Sequence, residues 1–261
     1  MKRWLGALAA VLVLGVAGCS GDETKTTAEP VATTLPSTTT TVPCGDEDLG
    51  PGVSVTAGAV AEGELQIYAA PDTTAAVSHT LTNPRLINND PNAAVPLVLL
   101  VKDTPDTACD WVEVYLPVRP NGSTGFVQRA DVTLTPNPYR IEIRLGEFNL
   151  KVFKDDVEMM DATIAEAAEN TPTPGGLYFT TELVKTPNPG GAYGPYAYGL
   201  SGFSEVLETF NGGPGQLGIH GTNQPQLLGQ KVSHGCIRMS NEDITTLAGI
   251  LPLGVPVEIL A

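Results

Sequence analysis

The chain has 261 residues, of which 42% are hydrophobic, enough for one or two domains with cores of their own. It carries 29 acidic and 14 basic residues, for a formal net charge of −15. Phosphate binding needs concentrated lysine and arginine, and the only basic cluster is Lys2 with Arg3. The charge balance therefore argues against nucleic acid as a partner.

Residues 1–18 have the pattern of a secretory signal. Two basic residues precede an apolar run over 5–16 that is too short to span a bilayer comfortably, and small residues follow. The sequence at Cys19 resembles a bacterial lipobox, which implies that 1–18 is a lipoprotein signal peptide and that Cys19 carries lipid. We therefore expect an exported protein, lipid-anchored to the outer face of the cell membrane in the cell wall or periplasmic space.

Residues 19–43 contain nine threonines and three prolines but almost no large apolar side chain. Such a segment buries too little surface to offset the entropy of ordering, so we predict a flexible linker. Fully extended, it would reach roughly 80 Å, which suits a protein that works in the cell wall.

The other three cysteines need an assignment in an oxidising compartment. Cys44 and Cys109 flank one predicted folded region, and we expect them to form a disulfide. Cys236 is then left over, and an odd cysteine in an exported protein indicates either an intermolecular disulfide or a reactive thiol.

Residues 44–136 have the pattern of short strands and turns, with no stretch of helical period. Strand-like runs occupy 64–69, 96–102 and 111–116. The segment 121–132 resembles the end of bacterial SH3-like barrels, which implies a small SH3-like β-barrel here. Binding to the wall and a role without any ligand both remain open for this domain.

After a predicted linker at 136–138, residues 139–261 are predicted to form a mainly β domain with one or two short helices. We predict strands at 139–145, 150–153, 157–164, 177–184 and 255–260. A helix is predicted from the N-cap Ser240 to Ile250. The segment 185–195 is rich in glycine, proline and asparagine, so we expect a surface loop able to cover a cleft.

The candidate site lies in residues 219–239, which hold Cys236 and two of the three histidines. His220 follows a predicted strand, and Cys236 comes sixteen residues later, beyond a polar loop. That spacing allows two neighbouring segments to bring both side chains to one edge of a sheet. Because a thiol reacts as the thiolate, and an imidazole is the commonest acceptor of its proton, we take Cys236 and His220 as the catalytic pair.

The neighbours of Cys236 suit acyl transfer. Gly235 permits a backbone geometry in which successive N–H groups converge on a developing oxyanion. Arg238 is suited to meet a substrate carboxylate.

Taken together, the sequence HGTN at 220–223, Gly229 and SHGCIRM at 233–239 resemble the signature of the YkuD-type L,D-transpeptidases. The resemblance covers about 139–261 and implies a YkuD-type β-sandwich. It implies that Cys236 attacks the bond between diaminopimelate and the terminal D-alanine of a peptidoglycan tetrapeptide stem, with His220 as base and then acid. A diaminopimelate amine of a neighbouring stem would resolve the thioester into a 3→3 cross-link. Carbapenems would acylate the same thiol.

The resemblance also implies roles for nearby residues. Backbone amides around His234, Gly235 and Cys236 would form the oxyanion hole. His234, Arg238 and Ser233 would shape the pocket or hold substrate.

Two positions depart from some branches of the family. Gly221 stands where several relatives carry serine, so the group that orients His220 must come from elsewhere, and the Gly221 carbonyl is our candidate. Residue 238 is arginine where a mycobacterial branch has asparagine.

Several alternatives stay open. An L,D-carboxypeptidase would hydrolyse the same bond with water, a related acyltransferase would attach a protein to peptidoglycan, and a noncatalytic lipoprotein would only bind the wall. A zinc site of His220, His234 and Cys236 lacks a fourth ligand, so we predict no metal and no cofactor. A papain-like peptidase would place its cysteine before its histidine, opposite to the order in this chain. His79 has no predicted partner.

Overall fold

A computed structural model describes residues 29–30, 49–87, 93–103 and 110–260. The predicted signal peptide lies outside these ranges, as do Cys19, Cys44 and Cys109, so the lipidation and the disulfide stay predictions. Of the predicted linker, only Glu29–Pro30 is described. Within the described ranges, no helix is long and apolar enough to cross a membrane.

The described residues are mainly β-strands, as predicted. Up to residue 137 the strands are β1 (Glu29–Pro30), β2 (Ser54–Ala59), β3 (Gly63–Tyr68), β4 (Val77–Asn83), β5 (Arg85–Leu86), β6 (Ala94–Val95), β7 (Val98–Asp103), β8 (Trp111–Tyr115), β9 (Thr124–Gln128) and β10 (Val132–Asn137). From residue 139 they are β11 (Tyr139–Arg144), β12 (Asn149–Lys154), β13 (Val157–Thr163), β14 (Glu166–Ala167), β15 (Gly176–Lys185), β16 (Tyr196–Phe203), β17 (Gln216–His220), β18 (Lys231–Ser233), β19 (Ile237–Arg238) and β20 (Pro256–Leu260), with one α-helix among the described residues, α1 (Asn241–Ile250). Short 3-10 helices lie at Arg129–Asp131 and Pro225–Leu227.

The first half forms a seven-stranded antiparallel sheet in the order β10-β2-β7-β8-β9-β3-β4. The strands predicted at 64–69, 96–102 and 111–116 are confirmed as β3, β7 and β8 within two residues at each end. Strands β2 and β4 were not predicted. The SH3-like barrel stays a prediction.

The predicted linker at 136–138 is wrong. Pro136 and Asn137 belong to β10, where Asn137 pairs with Ser54, and only Pro138 separates β10 from β11. The chain therefore passes from the first sheet to the second without a free segment.

The second half forms a larger sheet in the order β13-β12-β11-β20-β15-β16-β17-β19, with β1 paired to β15. Alternating burial in β11 and β12 places Ile141, Ile143, Leu150 and Val152 in the core, as the predicted hairpin requires. The predicted helix is confirmed as α1. Ser240 caps it by accepting a hydrogen bond from the Asp243 amide at 3.0 Å.

The two halves pack into each other. Phe179 of β15 is buried in the hydrophobic core of the first half, and Val98 of β7 is buried in the core of the second. An ion pair between Arg85 and Glu182, 3.0 Å long, also joins them. The first half is therefore part of the support of the second.

Candidate functional site

The site is built on two adjacent parallel strands, β17 and β19. Ile219 pairs with Ile237, and His220 pairs with Arg238. Because paired residues of parallel strands point to the same face, His220 and Arg238 share one face of the sheet. Cys236 directly precedes β19, and its Sγ would lie 3.9 Å from a Cβ added at Gly218, two residues before His220.

Gly218 makes room for the sulfur. A Cβ at this position would lie 2.8 Å from the carbonyl oxygen of Tyr198, so any side chain would collide with β16. Residue 218 is thus required to be glycine by close backbone packing, and the space on the site's face of the strand is left to the thiol.

His220 is held as a neutral imidazole. It is 5% exposed, and its Nδ1 lies 2.6 Å from the carbonyl oxygen of Gly221. Burial, opposed by the Gly221 hydrogen bond and aided by the positive charge of Arg238, lowers the pKa of His220 to about 4. With a proton on Nδ1 donated to Gly221, Nε2 is free to accept another.

Cys236 is a free, half-buried thiol. Burial raises the pKa of Cys236, whereas a hydrogen bond from the Gly218 backbone and the charge of Arg238 act in the opposite direction. The resting site therefore holds a neutral thiol beside a neutral imidazole. The proton moves from Cys236 to His220 only when the sulfur attacks.

Ser233 closes the turn that carries Cys236. Its hydroxyl donates to the carbonyl oxygen of Cys236 at 2.5 Å and accepts from the Gly235 amide at 3.3 Å. Thr173 supports the same turn by donating to the Gly235 carbonyl oxygen at 2.8 Å. Ser233 is only 1% exposed, so its burial argues against the predicted contact with substrate, and we assign it to the turn.

Two of the three predicted oxyanion donors are available. The Gly235 amide is already bonded to Ser233, while no acceptor within the described ranges binds the amides of His234 and Cys236. Gly235 has φ of 119°, a conformation that favours glycine. Gly235 therefore shapes the turn, and the amides on either side of it are left as the candidate oxyanion donors.

Arg238 presents a partly buried positive charge to the site. Its backbone N–H donates to the Ala165 carbonyl oxygen at 2.9 Å, and its carbonyl oxygen accepts from the Ala165 amide at 2.8 Å. Its Nε is buried and has no hydrogen-bond partner among the described residues. A buried donor of this kind is costly unless a ligand supplies the acceptor.

Two aromatic rings contact the histidines, and sequence analysis identified neither of them. The ring of Tyr193 lies 4.7 Å from that of His220, and the ring of Phe210 stacks on His234 at 5.4 Å. Asn211, the residue after Phe210, links the two aromatic residues by donating to the Tyr193 hydroxyl at 3.1 Å. The predicted loop at 185–195 thus does cover the site, through Tyr193.

Gly221 has no space for a side chain. A Cβ there would lie 2.3 Å from Oδ1 of Asn241 and 3.0 Å from Cα of Gly194. Asn241, at the start of α1, accepts a hydrogen bond from the Thr222 amide at 2.8 Å. Glycine at 221 thus lets the covering loop and the helix pack directly on the segment that orients His220.

His79, the remaining histidine, lies in β4 of the first sheet and contacts Ser78 at 3.2 Å. In the described part of the chain, no group of three His, Cys, Asp or Glu side chains is placed to hold a metal ion.

Such a pair, a thiol and a neutral imidazole on neighbouring strands beside free amides, defines a site suited to nucleophilic acyl transfer. Residues 138–259 match the YkuD family model, described as the L,D-transpeptidase catalytic domain. This match supports an L,D-transpeptidase catalytic domain in the second half of the chain.

The relatives agree with the family match. The chain is 38% identical over 122 residues to a Bacillus licheniformis protein provisionally named L,D-transpeptidase YkuD, and 36% identical to the protein of that name in Bacillus subtilis. Each alignment covers 47% of this chain and 66% of the relative, just under two thirds of its length. The solved structure of an L,D-transpeptidase from Mycobacterium smegmatis aligns over 80% of this chain and 99% of that chain, with 12% identity and a TM-score of 0.39.

Proposed function

We propose that the protein is an L,D-transpeptidase that forms 3→3 cross-links between peptidoglycan stem peptides through a thioester on Cys236. The observation that carries the proposal is the common face shared by His220, Arg238 and the thiol of Cys236 at strands β17 and β19. This face lies in the region that matches the L,D-transpeptidase catalytic domain.

In the first half-reaction, Cys236 gives its proton to Nε2 of His220, and its sulfur attacks the carbonyl carbon that joins diaminopimelate to D-alanine. The amides of His234 and Cys236 donate to the oxyanion, where fixed donors stabilise the developing charge. The carbon–nitrogen bond then breaks, and His220 returns the proton to the departing D-alanine amine.

In the second half-reaction, the side-chain amine of a diaminopimelate on a neighbouring stem attacks the thioester. A carbon–nitrogen bond forms, the carbon–sulfur bond breaks, and His220 passes the amine proton to the thiolate. Water in place of the amine would give an L,D-carboxypeptidase, and a protein lysine would give attachment of that protein to the wall.

Arg238 binds a carboxylate of the stem peptide in this proposal. Its buried, unpartnered Nε would gain an acceptor, and its charge would be compensated only when substrate is present. The same charge favours the thiolate of Cys236 and the neutral form of His220, so substrate binding and proton transfer involve one side chain.

The rest of the proposal concerns the first part of the chain. Residues 1–18 are a signal peptide, Cys19 bears the lipid, and residues 19–43 are the linker that carries the catalytic half into the wall. Residues 44–136 are an SH3-like domain with a disulfide between Cys44 and Cys109, and carbapenems acylate Cys236.

The test is incubation of the purified protein with a disaccharide tetrapeptide, with the products resolved by mass spectrometry. We expect release of D-alanine together with a 3→3 dimer, both absent with Cys236→Ala. Formation of tripeptide without dimer would show that the protein is an L,D-carboxypeptidase and not a transpeptidase. Equal products from wild type and Cys236→Ala would refute the thioester mechanism.

A further inference from the structure

The wall of the site is formed by a loop that the first half of the chain holds in place. This loop, residues 204–215, connects β16 to β17. Its tip is a tight turn in which Phe210 and Gly213 exchange backbone hydrogen bonds of 3.0 and 2.9 Å. Asn211 and Gly212 at its centre have φ of 47° and 79°, as a type I′ turn requires.

The tip reaches both histidines of the site. Phe210 stacks on His234, and Asn211 bonds to the hydroxyl of Tyr193, whose ring covers His220. The position of the loop therefore fixes both aromatic rings, Phe210 on His234 and Tyr193 on His220.

The base of the loop is held by a single arginine of the first half. Nη1 of Arg119 donates to the carbonyl oxygen of Ser204 at 2.6 Å, and its Nη2 donates to those of Leu207 and Pro214 at 3.1 Å each. These three carbonyls belong to the two arms of the loop. One planar guanidinium thus joins the arms, a geometry that a lysine ammonium does not reproduce.

Neighbouring contacts reinforce this attachment. Asn121 donates to the Phe203 carbonyl oxygen and accepts from the Phe203 amide, both at 2.9 Å, just before the loop begins. The guanidinium of Arg119 also lies 5.0 Å from the centre of the Phe203 ring. At the other end, Gly215 has no room for a Cβ beside the Leu207 carbonyl.

We propose that Arg119 is a positioning residue of the site: from the turn between β8 and β9 it fixes loop 204–215, which holds Phe210 on His234 and Tyr193 on His220. The first half of the chain is then required for acyl transfer by the second half, beyond any role in attachment. Loss of Arg119 frees the base of the loop, so Tyr193 and Phe210 shift from the two histidines. Water then enters the site, and His220 loses its fixed geometry.

The test compares Arg119→Ala, Arg119→Lys and Arg85→Ala in the full chain. Arg85→Ala is the matched control, because it also removes an arginine contact between the halves, the ion pair with Glu182, but does not touch the loop. Two rates are measured at one pH: alkylation of Cys236 by iodoacetamide, followed by peptide mass, and D-alanine release from the disaccharide tetrapeptide. Thermal unfolding of each variant verifies that it is folded at the assay temperature.

For Arg119→Ala we expect opposite changes. Alkylation becomes several-fold faster because Tyr193, which lies close enough to Cys236 for their charges to interact, shifts from the site. The kcat for D-alanine release falls about tenfold or more because the geometry is lost. Arg119→Lys recovers only part of kcat, and Arg85→Ala resembles wild type in both rates. Asn211→Gly, which keeps the turn but removes the bond to Tyr193, reproduces the Arg119→Ala pattern.

Wild-type rates in Arg119→Ala would overturn the inference, as would an equal effect of Arg85→Ala. The turnover measurement rests on the proposed function, whereas the alkylation measurement does not. Absence of D-alanine release from the wild type would refute the proposed function alone, and the alkylation rates would still decide the role of Arg119.

Discussion

The Nδ1 atom of His220 lies 2.6 Å from the carbonyl oxygen of the next residue, Gly221. This local contact fixes the tautomer, because a nitrogen that donates to a carbonyl must carry the proton and leaves the other nitrogen as acceptor. The histidine therefore needs no carboxylate to orient it, and its burial keeps it neutral at pH 7.

The first prediction concerns the base. We expect His220→Ala to lower kcat for D-alanine release by about 10²- to 10⁴-fold, the usual contribution of a general base. His79→Ala, which removes the histidine of the first sheet, serves as the control and should keep wild-type turnover. Steady-state kinetics on the disaccharide tetrapeptide decide the matter, and a His220→Ala enzyme within a few-fold of wild type would exclude the assigned role.

The second prediction concerns the space at Gly221. Gly221→Ala places a methyl group against Asn241 and Gly194, so we expect a loss of about 1–3 kcal/mol in the free energy of unfolding together with reduced turnover. Gly249→Ala in α1 is the matched control, since nothing lies within 4 Å of its added Cβ. There the substitution should stabilise by about 0.5–1 kcal/mol. Urea unfolding measures both, and equal stability of the two variants would argue against tight packing at 221.

The third prediction is the pH dependence of stability. With its pKa lowered to about 4, His220 is neutral in the folded protein between about pH 4 and 6.5, while the unfolded chain protonates it. The unfolded state then binds more protons, so this contribution to stability is present above about pH 6.5 and is lost as the pH falls towards 4. The loss amounts to about 3 kcal/mol.

Unfolding free energies of wild type and His220→Gln across that range check this prediction. The wild type should lose more stability on acidification than the variant. Parallel curves would mean that the histidine is not buried as a neutral group.

The fourth prediction concerns Ser233. If its hydroxyl closes the turn, Ser233→Ala should reduce the free energy of unfolding by about 1–2 kcal/mol and lower kcat while leaving KM nearly unchanged. Ser78→Ala, at an exposed position of β4, is the comparison and should alter neither kinetic constant. A rise in KM alone for Ser233→Ala would instead support the predicted contact between Ser233 and substrate.

The sequence pattern was sufficient to predict the parts of the site that depend on local structure. His220 at the end of a strand, Cys236 beside it and the helix capped by Ser240 all follow from spacing, glycine placement and capping residues. The strand alternation likewise identified most of the second sheet.

The parts that depend on packing between distant segments were not accessible in this way. Tyr193, Phe210 and Asn241 reach the site from three different loops or element ends, and no periodicity connects them to His220. The contact of Arg119 with loop 204–215 joins residues about ninety positions apart, across the boundary where we expected a linker. Asn211-Gly212 was the one readable signal, as a dipeptide that favours a tight turn.

The most direct test of the central claim is the mass of the intact protein after brief incubation with a disaccharide tetrapeptide whose diaminopimelate side-chain amine is blocked by acetylation, so that no acceptor amine is present. We predict an adduct equal to the tetrapeptide donor minus D-alanine, mapped by peptide mass to Cys236 and absent from Cys236→Ala. D-alanine release without an adduct on Cys236, or with an adduct on another residue, would contradict the thioester mechanism.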